Sequence, residues 1–142
     1  MLGKDVMKKT LTRLQDPAYA MLRIVAGFMF SFHGMQKLFG LFGGHAIQFG
    51  AKPQLFIGGV IELLCGVAIA VGLLTRWAAL LASGTMAVAY LQFHFAGDFS
   101  SSHWLPIVNK GELAVAYCFT FLLFAAHGPG AASLDRKLKL DA

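Results

Sequence analysis

Glu62 is a lone carboxylate inside a long apolar run, Leu55–Leu74. An ionised group at depth in hydrocarbon is costly unless it is paired or wetted, so it is a site candidate by default. Other polar residues reach the same level. His33 and Lys37 end the apolar run 18–39, Tyr90 and His94 end the run 77–96, and Asn109 and Glu112 open the run 108–127. At a helical rise of about 1.5 Å per residue, Glu62 lies about 10 Å and His33 about 9 Å below the outward ends of their runs. The chemistry open to such a set is proton handling, with an imidazole suited to the task near neutral pH, and hydrogen bonding to a small molecule. A plainer reading is an ion pair, Lys37 or His33 with Glu62, that only fixes helix register. For Glu112, the macrodipole of a helix N-terminus already accounts for a carboxylate there.

The elements that must carry these groups are helices. Arg23, Gly27, Phe30, Gly34 and Lys37 recur at spacings of three and four, as do Gly58, Glu62, Cys65, Ile69 and Gly72, which puts each set on one stripe. Glycine on such a stripe lets a neighbouring backbone come close, so Gly27, Gly34, Gly58, Gly66 and Gly72 are expected at helix contacts. Arg23, nearer the opposite end, is expected to snorkel toward headgroups. Ser83, Met86, Tyr90 and His94 share a face of the third run.

Four runs of about the length that spans a bilayer occupy a chain of 142 residues that is 57% hydrophobic and only 13% charged, with mean hydropathy +0.65. The expectation is an all-α integral membrane four-helix bundle forming one domain, 1–142, with spans at about 18–39, 55–74, 77–96 and 108–127. A soluble helical protein would need polar faces at helical period, which these runs lack. Asp16-Pro17 reads as an N-cap followed by a first-turn proline, leaving 1–16 as a separate amphipathic segment with Met7, Leu11 and Leu14 on one face. His127-Gly128-Pro129-Gly130 ends the last run, and 128–142 forms a tail with a short capped turn at Ser133.

The formal net charge is +5, and its distribution orients the chain. Lys4, Lys8, Lys9, Arg13, Arg76, Arg136, Lys137 and Lys139 fall on one side of a four-span topology, and Lys37, Lys52 and Lys110 on the other. The positive-inside bias then makes both termini cytoplasmic in a bacterial inner membrane and turns the connectors 40–54 and 97–106 outward. In the second connector, Asp98 and a serine run precede Trp104, which reads as an interface anchor. The basic residues border apolar runs without an aromatic stacking platform, so nucleic acid is not an expected partner; the lipid bilayer is. The N-terminal run is too long, and carries Arg23, for a cleavable signal. Cys65 and Cys118 form no C-x-x-C and are expected as buried apolar thiols. His33 and His94 are the pair that a haem would need, with no further metal signature around them.

Taken in order, several motifs resemble the DoxX family of small four-helix bacterial membrane proteins. They are Arg23, Gly27, Gly34, Lys37 and Leu38; then Gly58, Glu62, Gly66, Gly72 and Thr75; then Asn109, Gly111, Glu112, Leu113, Ala114 and Tyr117; and last Gly128-Pro129-Gly130, Ser133, Leu134 and Asp135. The resemblance covers Ala18 to Asp135 and leaves the outward connectors unmatched. It implies association with membrane redox complexes that handle sulfur compounds or oxidative stress, the family name deriving from a subunit of a thiosulfate–quinone oxidoreductase. No flavin, haem or iron–sulfur motif is visible, so electrons would come from a redox-enzyme partner, and a quinone is the compatible cofactor. On that expectation the protein is an accessory, not necessarily catalytic, subunit in which Glu62 manages a proton with His33 or Lys37 and Tyr90 and His94 bond a quinone carbonyl. A proton-coupled transporter or lipid-handling protein, requiring a homo-oligomer for so small a chain, is the alternative. A non-catalytic membrane scaffold is the third reading.

Overall fold

The computed structural model describes residues 2–95, 97, 99 and 101–140. The expected end of the third run at Ala96, Asp98 and one serine of the following connector, and the extreme ends of the 1–16 segment and the tail fall outside them. The described residues form helices and loops with no strand, in keeping with the all-α expectation.

The first helix, α1 (Leu2–Phe39), is a single rod with Pro17 in its interior. Asp16-Pro17 therefore does not start a helix, and the described part of the expected 1–16 segment, from Leu2, is continuous with the first span. A proline inside a helix removes one amide bond and crowds the carbonyl four residues back. Here that carbonyl belongs to Arg13, and residues 13–17 are all exposed, so water can take over the lost partner. Helix α2 (Pro53–Val71) begins on a proline and stops at Gly72, whose φ of 71° closes the last turn through bonds from its amide to Ala68 O and Ile69 O. That left-handed cap, readily adopted by glycine, ends the helix three residues short of the expected Leu74.

Helix α3 (Thr75–Ala89) continues into a π-helical turn over Tyr90–Phe95. A one-turn 3-10 helix, Ser102–Trp104, leads into α4 (Pro106–Asn109). The fourth run does not start at 108. Lys110 takes a left-handed φ of 61° and breaks the chain between α4 and α5 (Glu112–His127). The Asn109 side chain holds that break by accepting the Gly111 amide at 2.8 Å. A short α6 (Leu134–Leu138) is capped by Ser133, whose hydroxyl accepts the Arg136 amide.

One core unites α1, α2, α3 and α5. Phe30, Ile69, Ala79, Ala82, Phe121 and Phe124 are fully buried in it, with Phe30 stacked edge-on against Phe121 and beside Tyr117. The α1–α2 contact is backbone on backbone. A Cβ on Gly27 would stand 2.5 Å from Ala70 N, and one on Gly34 2.5 Å from Leu63 N. Gly66 reciprocates against Ser31 and Gly27. Gly58 does not belong to this contact: a Cβ there would meet nothing within 4 Å, and its neighbour Gly59 packs on Lys37 and Leu38 instead. A one-residue error turns a helix face by about 100°, which is enough to swap the two glycines.

The helix Pro53–Val71 and the continuous helical stretch Thr75–Phe95 are long and apolar enough to cross a membrane, with mean hydropathies of 2.1 and 1.2. The apolar α5 has only 16 residues, and the corresponding part of α1 carries Arg23 and Lys37. Where four spanning runs were expected, two helices meet the criterion among the described residues. Only 28% and 22% of those two stretches is buried inside the protein, so their apolar side chains largely face outward.

Candidate functional site

The helices alternate in direction, giving a loop end (Phe39, Pro53, Phe95, Glu112) and a tail end (Tyr19, Val71, Thr75, His127). At the loop end the seven expected site residues divide into two groups and one outlier.

The first group is the ion pair. Lys37 Nζ donates to Glu62 Oε1 at 2.5 Å, with the Lys37 side chain 32% exposed and Glu62 only 3%. Lys37, rather than His33, is thus the partner of Glu62. The other carboxylate oxygen, Oε2, is buried with no hydrogen-bond partner, and so is the hydroxyl of Tyr117 on the facing helix α5. The Tyr117 phenol lies within electrostatic reach of Glu62, and the His33 ring stands edge-on to it at 6.1 Å between centroids. Each of these unsatisfied buried oxygens is a place for a proton or for a ligand's hydrogen bond. Sequence reasoning does not single out Tyr117 as a site residue, because its phenol sits midway along a largely apolar helix. Its signal was its place in the Glu112–Tyr117 motif.

The second group stitches a loop. Tyr90 donates its hydroxyl to Trp104 O at 2.5 Å, and Asn109 Nδ2 donates to His103 O at 2.8 Å and to the Tyr90 hydroxyl at 3.4 Å. His94 Nδ1 lies 3.1 Å from Asn109 O, and because a carbonyl only accepts, Nδ1 carries the proton. These residues fasten 102–111 to the π turn. Their polar groups are engaged with backbone rather than aimed at the ion pair. Glu112 is the outlier, exposed at the start of α5. The expected single cluster is therefore split, and His33 and His94 belong to different groups. Among the described residues no three His, Cys, Asp or Glu side chains gather as metal ligands.

A groove of about 760 Å³ runs between α2 and α3. Lys37 and Glu62 form its polar wall; Ile57, Leu81 and Phe93 are among its apolar lining, and Gly58 and Gly84 face it. A Cβ on either glycine would meet nothing within 4 Å, so neither is required by packing, and both widen the groove. Gln54 and Gln92 hydrogen-bond across α2 and the π turn at the loop end. Exposed Ile57, Trp77, Leu80 and Leu81 leave the long side open.

At the tail end the chain returns and locks. Arg23 does not snorkel: it is fully buried. Its Nη1 donates to Ile69 O and Ala70 O at 2.6 and 2.9 Å, and its Nη2 to Ala132 O at 2.9 Å. The guanidinium thus caps the carbonyl end of α2, where a cation is favoured, and ties it to the tail. Asp135, also buried, does the converse for α3. It accepts the amides of Leu74 and Thr75 at 2.7 and 2.9 Å and the Thr75 hydroxyl at 2.8 Å, and its own amide donates to Gly72 O. Arg76 caps α5 through Ala125 O and Ala126 O, and Tyr19 donates to Gly128 O at 2.6 Å. Gly72 fits this lock because a Cβ would strike Ser133 and Arg23. Cys65 and Cys118 are free thiols; the Ser83 hydroxyl donates to Cys118 O at 2.8 Å.

Comparison with known proteins places this geometry in a lineage. The chain is 40% identical over 122 residues to an uncharacterized protein of Haemophilus influenzae, covering 83% of this chain and 88% of that one. It is 31% identical over 135 residues to an uncharacterized membrane protein of Mycobacterium tuberculosis, covering 86% and 82%. No solved structure matches. The DoxX family model matches residues 18–95, the stretch that holds Arg23, the close-packed glycines, the Lys37–Glu62 pair and the groove. The chain belongs to the DoxX family of membrane proteins.

Proposed function

We propose that the protein is a multi-pass inner-membrane four-helix bundle, both termini cytoplasmic, that serves as an accessory subunit of a membrane oxidoreductase system and holds a quinone-type molecule in the α2–α3 groove. The observation that carries this reading is a charged pair, Lys37 and Glu62, set in the wall of an apolar groove that opens sideways. Apolar clefts of several hundred Å³ with a few placed polar groups are the usual form of small-molecule sites. In a bilayer a lateral opening admits an amphiphile directly from the lipid. Lys37 spends one of its three donors on Glu62 in this structure, so a ligand carbonyl can accept from another. Electrons come from a partner enzyme, and Glu62 with Tyr117 supplies a buried place for the accompanying proton.

Membrane embedding is supported by the exposed faces of the helices. Phe28, Ile57, Leu64, Trp77 and Phe119 are each at least half exposed, far more apolar surface than a soluble monomer leaves in water. The Lys/Arg asymmetry described above supports the orientation. The test is thermal unfolding of the detergent-purified protein with and without quinone analogues. A stabilisation that Gly58→Leu abolishes, by filling the groove, is the expected outcome. No shift with any quinone removes the ligand reading, and native-membrane crosslinking that recovers no redox enzyme removes the accessory role.

A second reading, a proton-coupled carrier, draws on the unpartnered Glu62 Oε2 and Tyr117 hydroxyl, since buried ionisable groups mark proton pathways in transporters. Solute uptake by proteoliposomes that collapses with the proton gradient would favour it over the first.

A further inference from the structure

The outer face of α1 carries a pattern that neither the groove nor the tail lock uses. Met7, Leu11, Leu14, Ala18, Met21 and Val25 recur at alternating spacings of four and three, and all are exposed. At about 100° per residue this stripe lies opposite the face that α1 buries against α2 through Arg23, Gly27 and Phe30. Its period is the seven-residue repeat of a coiled coil, whose seam keeps facing a partner along its length.

Lipid accounts for only part of that stripe. Arg23 marks the level at which α2 ends, because it holds the last carbonyls of that helix. Met7 stands sixteen residues further along an unbroken helix, about 24 Å beyond that level at the helical rise. Residues 4–18 are exposed, and Met7, Leu11 and Leu14 are 60%, 59% and 53% so. An amphipathic segment can lie along a membrane surface only if it turns sharply away from the span, and α1 remains one continuous helix through Pro17.

We infer that a second copy of this chain covers the stripe, the two α1 helices pairing in parallel as a two-stranded coiled coil from Met7 through Val25. Copies inserted in the same sense are related by an axis along the helices, so each seam meets itself, an isologous contact. The charges suit this partner. Lys9, Arg13 and Asp16 point away from the seam, Thr10 and Gln15 face one another across the axis, and Lys8 is the one charged edge position from Met7 through Val25, so no two like charges pair there. Lys4 extends the stripe at its open end, where its ammonium can reach water.

The test uses single cysteines in a Cys65→Ala, Cys118→Ala background, oxidised with copper phenanthroline in native membranes. Leu11→Cys and Leu14→Cys are expected to give disulfide-linked dimers several-fold more efficiently than Lys9→Cys and Thr12→Cys, which lie on the opposite side of the same exposed helix. Equal crosslinking at all four positions, or none at any, overturns the proposal; the latter is the result expected if a membrane surface covers the stripe. Leu11→Asp combined with Leu14→Asp should convert a dimer to a monomer by light scattering, with the melting temperature of the helical core unchanged. A parent protein that is monomeric by light scattering in detergent micelles, together with no crosslinking in membranes, refutes it. Neither outcome depends on what the groove binds.

Discussion

Removing the two members of the Lys37–Glu62 pair should have unequal consequences, because the two charges are unequally buried. Lys37→Met strips the partner from a carboxylate that is 2% exposed and already has one oxygen unpaired. Breaking a buried pair in this way costs about 3–5 kcal/mol, since the remaining charge is stranded. Glu62→Gln leaves an ammonium whose side chain is 32% exposed and can swing toward the groove mouth, and the amide oxygen can still accept from it. The loss there is about 1–2 kcal/mol, that of one charge-assisted hydrogen bond weakened to an ordinary one. Replacing both at once, Lys37→Met with Glu62→Leu, removes the stranded charge and should recover most of the stability lost by Lys37→Met. Equilibrium unfolding in mixed detergent micelles, read by helical circular dichroism, measures all three. A double-mutant cycle built from Lys37→Met and Glu62→Leu then isolates the coupling. If Lys37→Met and Glu62→Gln cost the same, or the cycle shows no coupling, the pair is not the buried, asymmetric contact described here.

The glycines divide by the same kind of measurement. Gly27→Val should separate α1 from α2 and lower the melting temperature sharply, while Gly58→Ala, whose Cβ meets nothing within 4 Å, should be neutral or slightly stabilising. Arg23→Met removes the guanidinium donor from the carbonyls of Ile69, Ala70 and Ala132, leaving Ile69 O with the Gly72 amide. A loss of about 3 kcal/mol is expected, with limited proteolysis now cutting in the 128–140 tail before the helices unfold. Asp135→Asn turns one acceptor toward the Thr75 and Leu74 amides into a donor. It should cost about 1–2 kcal/mol and speed amide exchange at Leu74 and Thr75, whereas Lys139→Ala, on an exposed cap, should change neither.

Periodicity and charge type in the chain alone already implied helices, a partner for Glu62 in either His33 or Lys37, and the close approach at Gly27, Gly34 and Gly66. Those properties follow from the 3.6-residue turn and from the cost of a lone carboxylate among apolar groups, and neither needs a neighbour's coordinates. The run lengths also announced most element positions. They misplaced ends wherever the stop came from a backbone conformation, as at Gly72 and Lys110, or where a proline was tolerated in an exposed stretch, as at Pro17.

Only the tertiary structure decided how helices turn about their axes and where the tail goes. An azimuth error of one residue exchanged Gly58 for Gly59. The expected polar cluster parted because the π turn directs Tyr90 and His94 onto the 102–111 loop rather than toward Glu62. The largest surprise is Arg23, which by hydropathy belongs at a headgroup. Its two terminal nitrogens are instead engaged inside, Nη1 by the end of α2 and Nη2 by the carbonyls of Ala131 and Ala132, more than a hundred residues away in the chain, while Nε stays buried without a partner among the described residues. A hydrogen bond to a distant carbonyl leaves no periodic trace in a sequence, so that lock becomes visible only when the chain has folded back on itself.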